Sequence, residues 1–452
     1  MSRTNDVTRE SLLKKAEKPS KDAMKFHPFY KGKLQVMPKC PIRSSDDWAI
    51  WYTPGVAAPC KDIEANPEKV FDYTNKGNTV AVVSDGTRVL GLGDIGPEAG
   101  LPVMEGKAIL FKYLGGVDAF PLCLDTKDPD ELIKTVLLLQ PSFGGVNLED
   151  ISQPKCFKVL DTLRQEARIP IWHDDQQGTA AVTLAGLINA LKLVGKDISQ
   201  IKVTMVGSGA ANIAIARLLI KAGVDPKLML LVDSKGILHR DRRDRQTIME
   251  NFHEKWKFCE LTNPDCKSGG IAEAMNGADV TISLSKPGPG FIKQEWIASM
   301  ARDSIVFTCA NPVPEIWPWE AKEAGARIVA TGRSDFPNQV NNSLGFPGIF
   351  RGTLDVRART ITDEMCIAAA EELAACAADR GMTEDHLIPT MDEWEVYPRE
   401  AAAVGAKAVE QGVAGIPLAK EEIYNIAEEK IRKARKDLEV LVDAGLIPMP
   451  PE

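Results

Sequence analysis

Short apolar runs recur along this chain, each closed by a polar or acidic residue and each followed by a stretch with helical spacing. TVAVVSD, from Thr79, and VDAFPLCLD, from Val117, are rich in β-branched residues and end in Asp, with a helical stretch between them at about 106–114. DPDELIKTVLLLQPSF has an acidic start, apolar spacing and a proline stop, which predicts a helix. It leads into a strand ending in Glu149-Asp150, and a further strand, Ile171-Trp172-His173, ends in Asp174-Asp175 just before a long apolar helix. The second half repeats the alternation, with strands at 201–206, 228–232, 280–284, 305–308 and 327–330 and a helix at 210–222. Strand, helix, strand alternation means a parallel sheet, so the fold class is α/β with a doubly wound sheet. Residues 1 to about 60, with Trp48, Trp51 and Tyr52, read as an arm plus short helices. Beyond about 360 the chain becomes helical, with Glu428/Arg432 and Glu429/Lys433 pairs on a solvated face.

At 452 residues the chain exceeds the size at which one core stops growing, which predicts two domains. With 55 basic and 63 acidic residues and a net charge of −8, no basic patch for nucleic acid is expected. The 9 cysteines show neither a C-x-x-C pair nor zinc spacing, which fits free thiols in a reducing compartment. The N-terminal MSRTNDVTRESLLKKAEK lacks an apolar segment, and no run approaches the ~20 apolar residues of a membrane span. A cytoplasmic protein is expected.

Two segments match a dinucleotide-type glycine loop. Gly207-Ser208-Gly209-Ala210-Ala211-Asn212 follows one strand and opens a helix, and Asp233 ends the next strand, so a pyrophosphate would lie on the helix N-terminus. Asn212 stands where Gly or Ala is usual and is expected to loosen helix-to-strand packing. Gly91-Leu92-Gly93-Asp94-Ile95-Gly96 matches too, but Pro97, Gly100 and Pro102 follow in place of an apolar helix and its Asp would repel phosphate. It reads as an active-site wall. Ser285, Asn311 and Thr331 follow later strands, where ligands of open parallel sheets bind. Asp233 favours an unphosphorylated ribose and hence NAD. The run His239-Arg240-Asp241-Arg242-Arg243 is either a receptor for the 2′-phosphate of NADP or a solvated loop.

The acidic pairs carry the chemistry. Carboxylates crowded beside a cofactor loop repel one another unless a cation lies between them, and a hard divalent metal is the usual solution. His173 has no imidazole cluster around it and reads as a packing residue, and Cys309 as a buried thiol.

Together with Trp51-Tyr52-Thr53-Pro54-Gly55-Val56-Ala57, Glu105-Gly106-Lys107, Asn147-Leu148-Glu149-Asp150, HDDQQGTA, Asn311-Pro312 and ATGRSDFPNQVNNSLGFPGIFRG, these segments resemble the malic enzymes of the short bacterial and archaeal type over nearly the whole chain. The resemblance implies conversion of malate to pyruvate and carbon dioxide with NAD or NADP and Mg²⁺ or Mn²⁺. It implies Tyr52 as general acid, Lys107 as general base, and Asp174 as the carboxylate supporting the lysine. By the same resemblance Glu149, Asp150 and Asp175 ligate the metal, and Arg88, Asn311 and Asn342 hold the substrate carboxylates. It further implies an N-terminal substrate and metal domain at 1–173, a Rossmann-like domain at 174–341, a helical segment at 342–452 returning to the first domain, and a homodimer or larger homo-oligomer. Gln177 departs from the His frequent in short relatives.

A base at C2 must be neutral, so the Lys107 pKa is expected to fall from ~10.4 towards ~7–8 through burial or a nearby cation, which the bound metal would supply, whereas Tyr52 near ~10 can hold a proton for C3. Competing readings make Tyr52 an aromatic anchor, Lys107 a surface residue, and Arg88 a partner of Asp85 or Asp94. Alternative functions are malolactic conversion with tightly held NAD, an amino-acid dehydrogenase, or an inactive dinucleotide-binding protein.

Overall fold

The computed structural model describes residues 9–451 except Pro312, with side chains from Lys18 onward. The first eight residues of the expected arm and the proline of Asn311-Pro312 therefore lie outside the described residues.

Two parallel sheets organise the chain. The first contains β1 (Thr79–Ser84), β2 (Asp118–Cys123), β3 (Gly145–Leu148) and β4 (Ile171–His173), in the order β2-β1-β3-β4. The second contains β5 (Val203–Val206), β6 (Met229–Asp233), β7 (Gly236–Ile237), β8 (Val280–Ser283), β9 (Ile305–Thr308) and β10 (Ile328–Thr331), in the order β10-β9-β8-β5-β6-β7. Only β7 runs antiparallel, against β6. The expected strands match these positions within about two residues. Every residue of β1, β3, β5, β8, β9 and β10 is buried, because helices cover both faces of a parallel sheet.

Each sheet reverses direction once, at β1/β3 and at β5/β8, and such a reversal opens a crevice beyond the carboxyl ends of the strands. Gly207 shows how tight the second crevice is. Its φ is +102°, and a Cβ there would stand 2.8 Å from the Leu284 carbonyl at the end of β8.

Between the sheets, the π-turn Asp174–Gly178 runs into the helix Thr179–Val194. Taken together, 174–194 is long and apolar enough to cross a membrane, contrary to the expectation that no segment is. The physical reason is its interior position, with 72% of the apolar window buried within the protein, where Gly186 packs on Phe307.

Two further expectations are corrected. A helix, Pro97–Gly115, does follow the GLGDIG loop: Pro97 occupies the first turn, where a missing N–H costs nothing, and Pro102 is accommodated inside it. The N-terminal region opens with a long helix, Arg9–Tyr30, before the short Ser45–Trp51 and Ala57–Ala65.

The C-terminal helices Phe346–Asp355, Asp363–Asp379, Val396–Glu410 and Lys420–Asp443 follow β10. Phe346–Asp355 is buried along its whole length and lies on the first sheet's helix, with Phe111 at 4.6 Å from Phe346 and 5.1 Å from Phe350, ring centre to ring centre. Phe350 also meets Trp172 of β4 edge-on at 6.4 Å. Arg351, fully buried, is neutralised by Asp355 at 2.6 Å in the next turn. Truncating Phe350 to Ala should cost about 3–5 kcal/mol, because the cavity opens between three elements that cannot collapse together. A lowered thermal midpoint relative to wild type checks it.

Candidate active site

The carboxyl ends of β3 and β4 place four acids in one crevice, and the helix after β1 delivers one lysine into it. Lys107 Nζ lies 2.5 Å from Asp174 Oδ2 and 3.0 Å from Glu149 Oε1, and 4.4 Å from the centre of the Phe346 ring. Only 8% of Lys107 is exposed, so the reading of it as a surface residue is excluded. Burial alone would push its ammonium down, but Asp174 and Glu149 outweigh burial and hold it above its ordinary value. Without a metal beside it, the lysine is thus held up by the two acids, opposite in direction to the fall expected next to a bound cation.

Asp174 is held from both sides, since Trp172 Nε1 donates to its Oδ1 at 3.1 Å while Lys107 takes Oδ2. A Cβ at Gly178 would collide with that carboxylate, which makes glycine obligatory at the end of the π-turn. Asn342 packs against the same glycine. Asp150 adopts a φ of +55°, a left-handed conformation that turns its backbone N–H to Asp175 Oδ2 at 2.8 Å. Its carbonyl accepts from Arg88 N at 2.9 Å and its Oδ1 from Leu90 N at 3.3 Å, so the residues just before the GLGDIG loop line this crevice.

Glu149, Asp150 and Asp175 each present an oxygen within 4.8 Å of the others. Burial raises the pKa of all three, and mutual repulsion raises Glu149 and Asp150 further, Asp150 to about 8. Asp150 Oδ2 is buried without a hydrogen-bond partner. Three hard oxygen donors with an orphaned carboxylate oxygen fit a divalent cation of the Mg²⁺ or Mn²⁺ type and do not resemble a zinc site.

Arg88 pairs with neither Asp85 nor Asp94, which bind Lys155 at 2.5 Å and Lys127 at 2.6 Å. Among the described residues its guanidinium has no hydrogen bond or ion pair, and its charge reaches Asp150 and Asp175. Tyr52 is not brought into this cluster. It caps the helix Ser45–Trp51, is 71% exposed, and is no core anchor. His173 is fully buried, 3.7 Å from Asp175, and burial lowers its pKa to about 4, so the imidazole is neutral packing behind the acid. Cys309 is a buried thiol that burial pushes well up.

At the second crevice Gly209 caps the helix Ala210–Lys221, and Ser208, Ala210 and Ala211 follow the turn. Asn212 tightens this loop, against expectation: fully buried, its Nδ2 donates to Val206 O at 2.8 Å and Gly207 O at 3.0 Å, doing with an amide what packing alone would do with a smaller residue. Asp233 does not stand open for a ribose. Its carboxylate meets Arg242 at 3.0 Å and Lys255 at 3.3 Å and accepts Lys235 N at 2.9 Å. Arg242 is buried, which corrects the solvated-loop reading for that residue. Ser285 sits beyond β8, and exposed Asn311 lies beside Gly332 beyond β9 and β10.

Sequence reasoning missed the braces. Glu315 accepts from Ser283 Oγ at 2.7 Å, Ser285 N at 3.0 Å and Ala310 N at 3.2 Å, tying together the loops after β8 and β9. Asp85 accepts Thr87 N and Oγ1, and Thr87 Oγ1 accepts Ser152 N, which locks the Arg88 loop to the acidic loop. No local spacing distinguishes either acid from a surface residue.

With strand order, crevice and acid cluster in place, the relatives can be compared. The family model for the malic enzyme N-terminal domain matches residues 31–164, and that for the malic enzyme NAD binding domain matches 176–409. The chain is 51% identical over 412 residues to the bifunctional malic/malolactic enzyme of Bacillus subtilis, covering 91% of this chain and 97% of that protein. It is 42% identical to the NADP-dependent malic enzyme of Escherichia coli over 89% of this chain but only 54% of that longer protein. The crystal structure of Entamoeba histolytica malic enzyme superposes with a TM-score of 0.95 at 52% identity, covering 99% of this chain and 93% of that one. A two-domain α/β oxidoreductase is the class that these comparisons define. The chain belongs to the malic enzyme family.

The acids set a pH dependence. Because the folded pKa of Asp150 is raised from 3.8 to about 8, the unfolded chain ionises first, and this group's contribution to stability falls as pH rises between those values and is flat above. Metal-free protein should therefore unfold at a lower temperature at pH 8 than at pH 6, and Asp150→Asn should flatten that slope in thermal melts with chelator.

Proposed function

We propose that this protein oxidises and decarboxylates L-malate to pyruvate and carbon dioxide with NAD as the principal acceptor and a divalent metal. The observation that carries the reading is Lys107 clamped by Asp174 and Glu149 beside three convergent carboxylates at the β1/β3 crevice.

Glu149, Asp150 and Asp175 would hold Mg²⁺ or Mn²⁺, and the dinucleotide would lie on the Gly207 loop. Once bound, the cation would supply Lewis acidity towards the substrate and the dinucleotide a hydride acceptor. Arg88, with its free guanidinium, fixes a substrate carboxylate in a planar pair that a lysine would form less well. Asn311 and Asn342 complete the carboxylate contacts. Lys107 takes the C2 hydroxyl proton while passing its own to Asp174, a relay that the 2.5 Å contact supports and that requires no free neutral amine. Tyr52 would return a proton to C3 once brought to the crevice, from which it stands apart in the single chain.

The polypeptide divides, on this reading, into 1–173, 174–341 and 342–452, because the first crevice needs side chains from both ends of the chain. Tyr52 shares an exposed apolar surface with Trp48, Ile50, Trp51 and Val56, and a second copy of the chain covers that face in a homodimer. A cytoplasmic location fits cysteines that are all free thiols. Malolactic conversion is the second reading, favoured by the bifunctional name of the Bacillus subtilis relative.

Purified protein with L-malate and Mn²⁺ should reduce NAD and form equimolar pyruvate, and chelator should abolish both. Lactate without net reduction would establish the malolactic reading in its place. Lys107→Ala should lower kcat by at least ~10²-fold, the scale of a lost proton-transfer group, with NAD binding retained in fluorescence titrations. Asp233→Ser should release Arg242 and Lys255 towards a 2′-phosphate and raise the kcat/KM ratio of NADP over NAD by roughly tenfold, read from parallel saturation curves.

A further inference from the structure

Behind the acid-bearing turn lies a cavity of mixed polar and apolar lining that the reaction does not use. It measures about 60 Å³, several times the ~10–15 Å³ that one water needs, and opens to solvent. Five elements meet there: the helix Lys155–Glu166 of the first sheet, the turn Asp174–Gly178, the first turn of the helix Thr179–Val194, the helix Ala210–Lys221 that follows the glycine loop, and the start of the helix Asp363–Asp379. Arg164, Arg217, Gln176, Gln177 and Asp363 provide its polar lining.

Gln177 supplies an oriented donor. Its Oε1 accepts the His173 backbone N–H at 3.1 Å, and since an N–H can be met only by the oxygen, the amide cannot be flipped. The Nε2 is left buried with no partner, on a residue that is 8% exposed. Arg164 spends one donor on Ile361 O at 2.7 Å and stands 3.7 Å from Asp363, while Arg217 binds Glu254 and lies over the Phe157 ring. Each guanidinium keeps further N–H donors. Burial pushes the Arg217 pKa down against the pull of Asp161 and Asp363, and Arg164 pushes it the same way. Each guanidinium already has a carboxylate partner, and a tetrahedral anion would offer acceptors to their remaining N–H groups and to the Gln177 amide together, more than the two lone pairs of one water can meet.

We propose that this cavity binds a small oxyanion of the phosphate type, held by Arg164, Arg217 and the Gln177 amide. Such an ion joins the turn carrying Asp174 and Asp175 to the helix that follows the glycine loop. Occupancy therefore couples the two crevices through their shared turn, and it is independent of which coenzyme or carbon product the enzyme prefers.

The test uses full-length, metal-free protein with saturating NAD, so that the glycine loop is filled, and follows thermal unfolding with sodium phosphate against sodium chloride of equal ionic strength. Phosphate at about ten times its dissociation constant should raise the midpoint by roughly one to a few degrees in wild type, and Arg164→Gln and Arg217→Gln should each lose that rise. Both variants should keep a cooperative transition and the upward shift on adding NAD, which reports that they fold. Gln177→Leu should weaken the phosphate response in the same assay. Glycerol 3-phosphate forms the second arm: an equal shift identifies phosphate monoesters as occupants, and a shift with inorganic phosphate alone identifies the free ion. A phosphate shift no larger than that of chloride overturns the proposal, as does one that persists unchanged in the arginine variants. If NAD itself produces no shift, the dinucleotide reading fails separately, while the comparison of wild type with the variants still reports on the cavity.

Discussion

Four carboxylates packed around one buried ammonium impose the governing constraint on this molecule. Glu149, Asp150, Asp174 and Asp175 converge at the ends of two neighbouring strands, and Lys107 neutralises only part of their charge. Buried like charges at these separations are tolerated only by retaining protons or by admitting a cation. Burial and repulsion push Glu149 and Asp150 towards the first by raising their pKa values. The second is the chemistry that the site performs in the proposed reaction.

Holding such a cluster requires rigid backing, and the chain supplies it from distant segments. Trp172 fixes Asp174 through its indole, Phe350 packs on Trp172, and Phe346 lies against both Phe111 and the Lys107 ammonium. The helix Phe346–Asp355 thus serves the first sheet although it follows the second sheet in sequence. Asp85, through Thr87 and Ser152, does the same work locally by joining the loops after β1 and β3. The left-handed backbone of Asp150 belongs to this scheme, because it points an N–H at Asp175 and so offsets some of the repulsion between them.

The second crevice follows a different economy. Its acids are already partnered: Asp233 is occupied by Arg242 and Lys255, and Glu315 accepts from two loop amides and a hydroxyl. These contacts set backbone positions around the space for a dinucleotide. Asn212 illustrates the difference between a motif and its geometry, since an amide bonded to two carbonyls stiffens the turn that a strict pattern reserves for small residues.

Strand positions, the parallel sheets and the paired acids were legible in the amino-acid order, because alternation of apolar runs and helical spacing is a local property and adjacent acids are visible as such. Local order also carried the glycine loop. It misjudged the helix after GLGDIG, where proline tolerance depends on position within the first turns, and the apolar segment 174–194, whose solvent is protein interior. Ionisation and partnership were beyond it. Whether Lys107 is neutral or clamped, whether Asp233 is open or paired, and which face of Gln177 is left without a partner all depend on how folding places groups that lie from a few to several tens of residues away. Residue types and their spacing determined what chemistry this protein could hold. Only the tertiary structure decided the charge state and orientation of each group, because desolvation and Coulomb interactions depend on distance in space and not on separation along the chain.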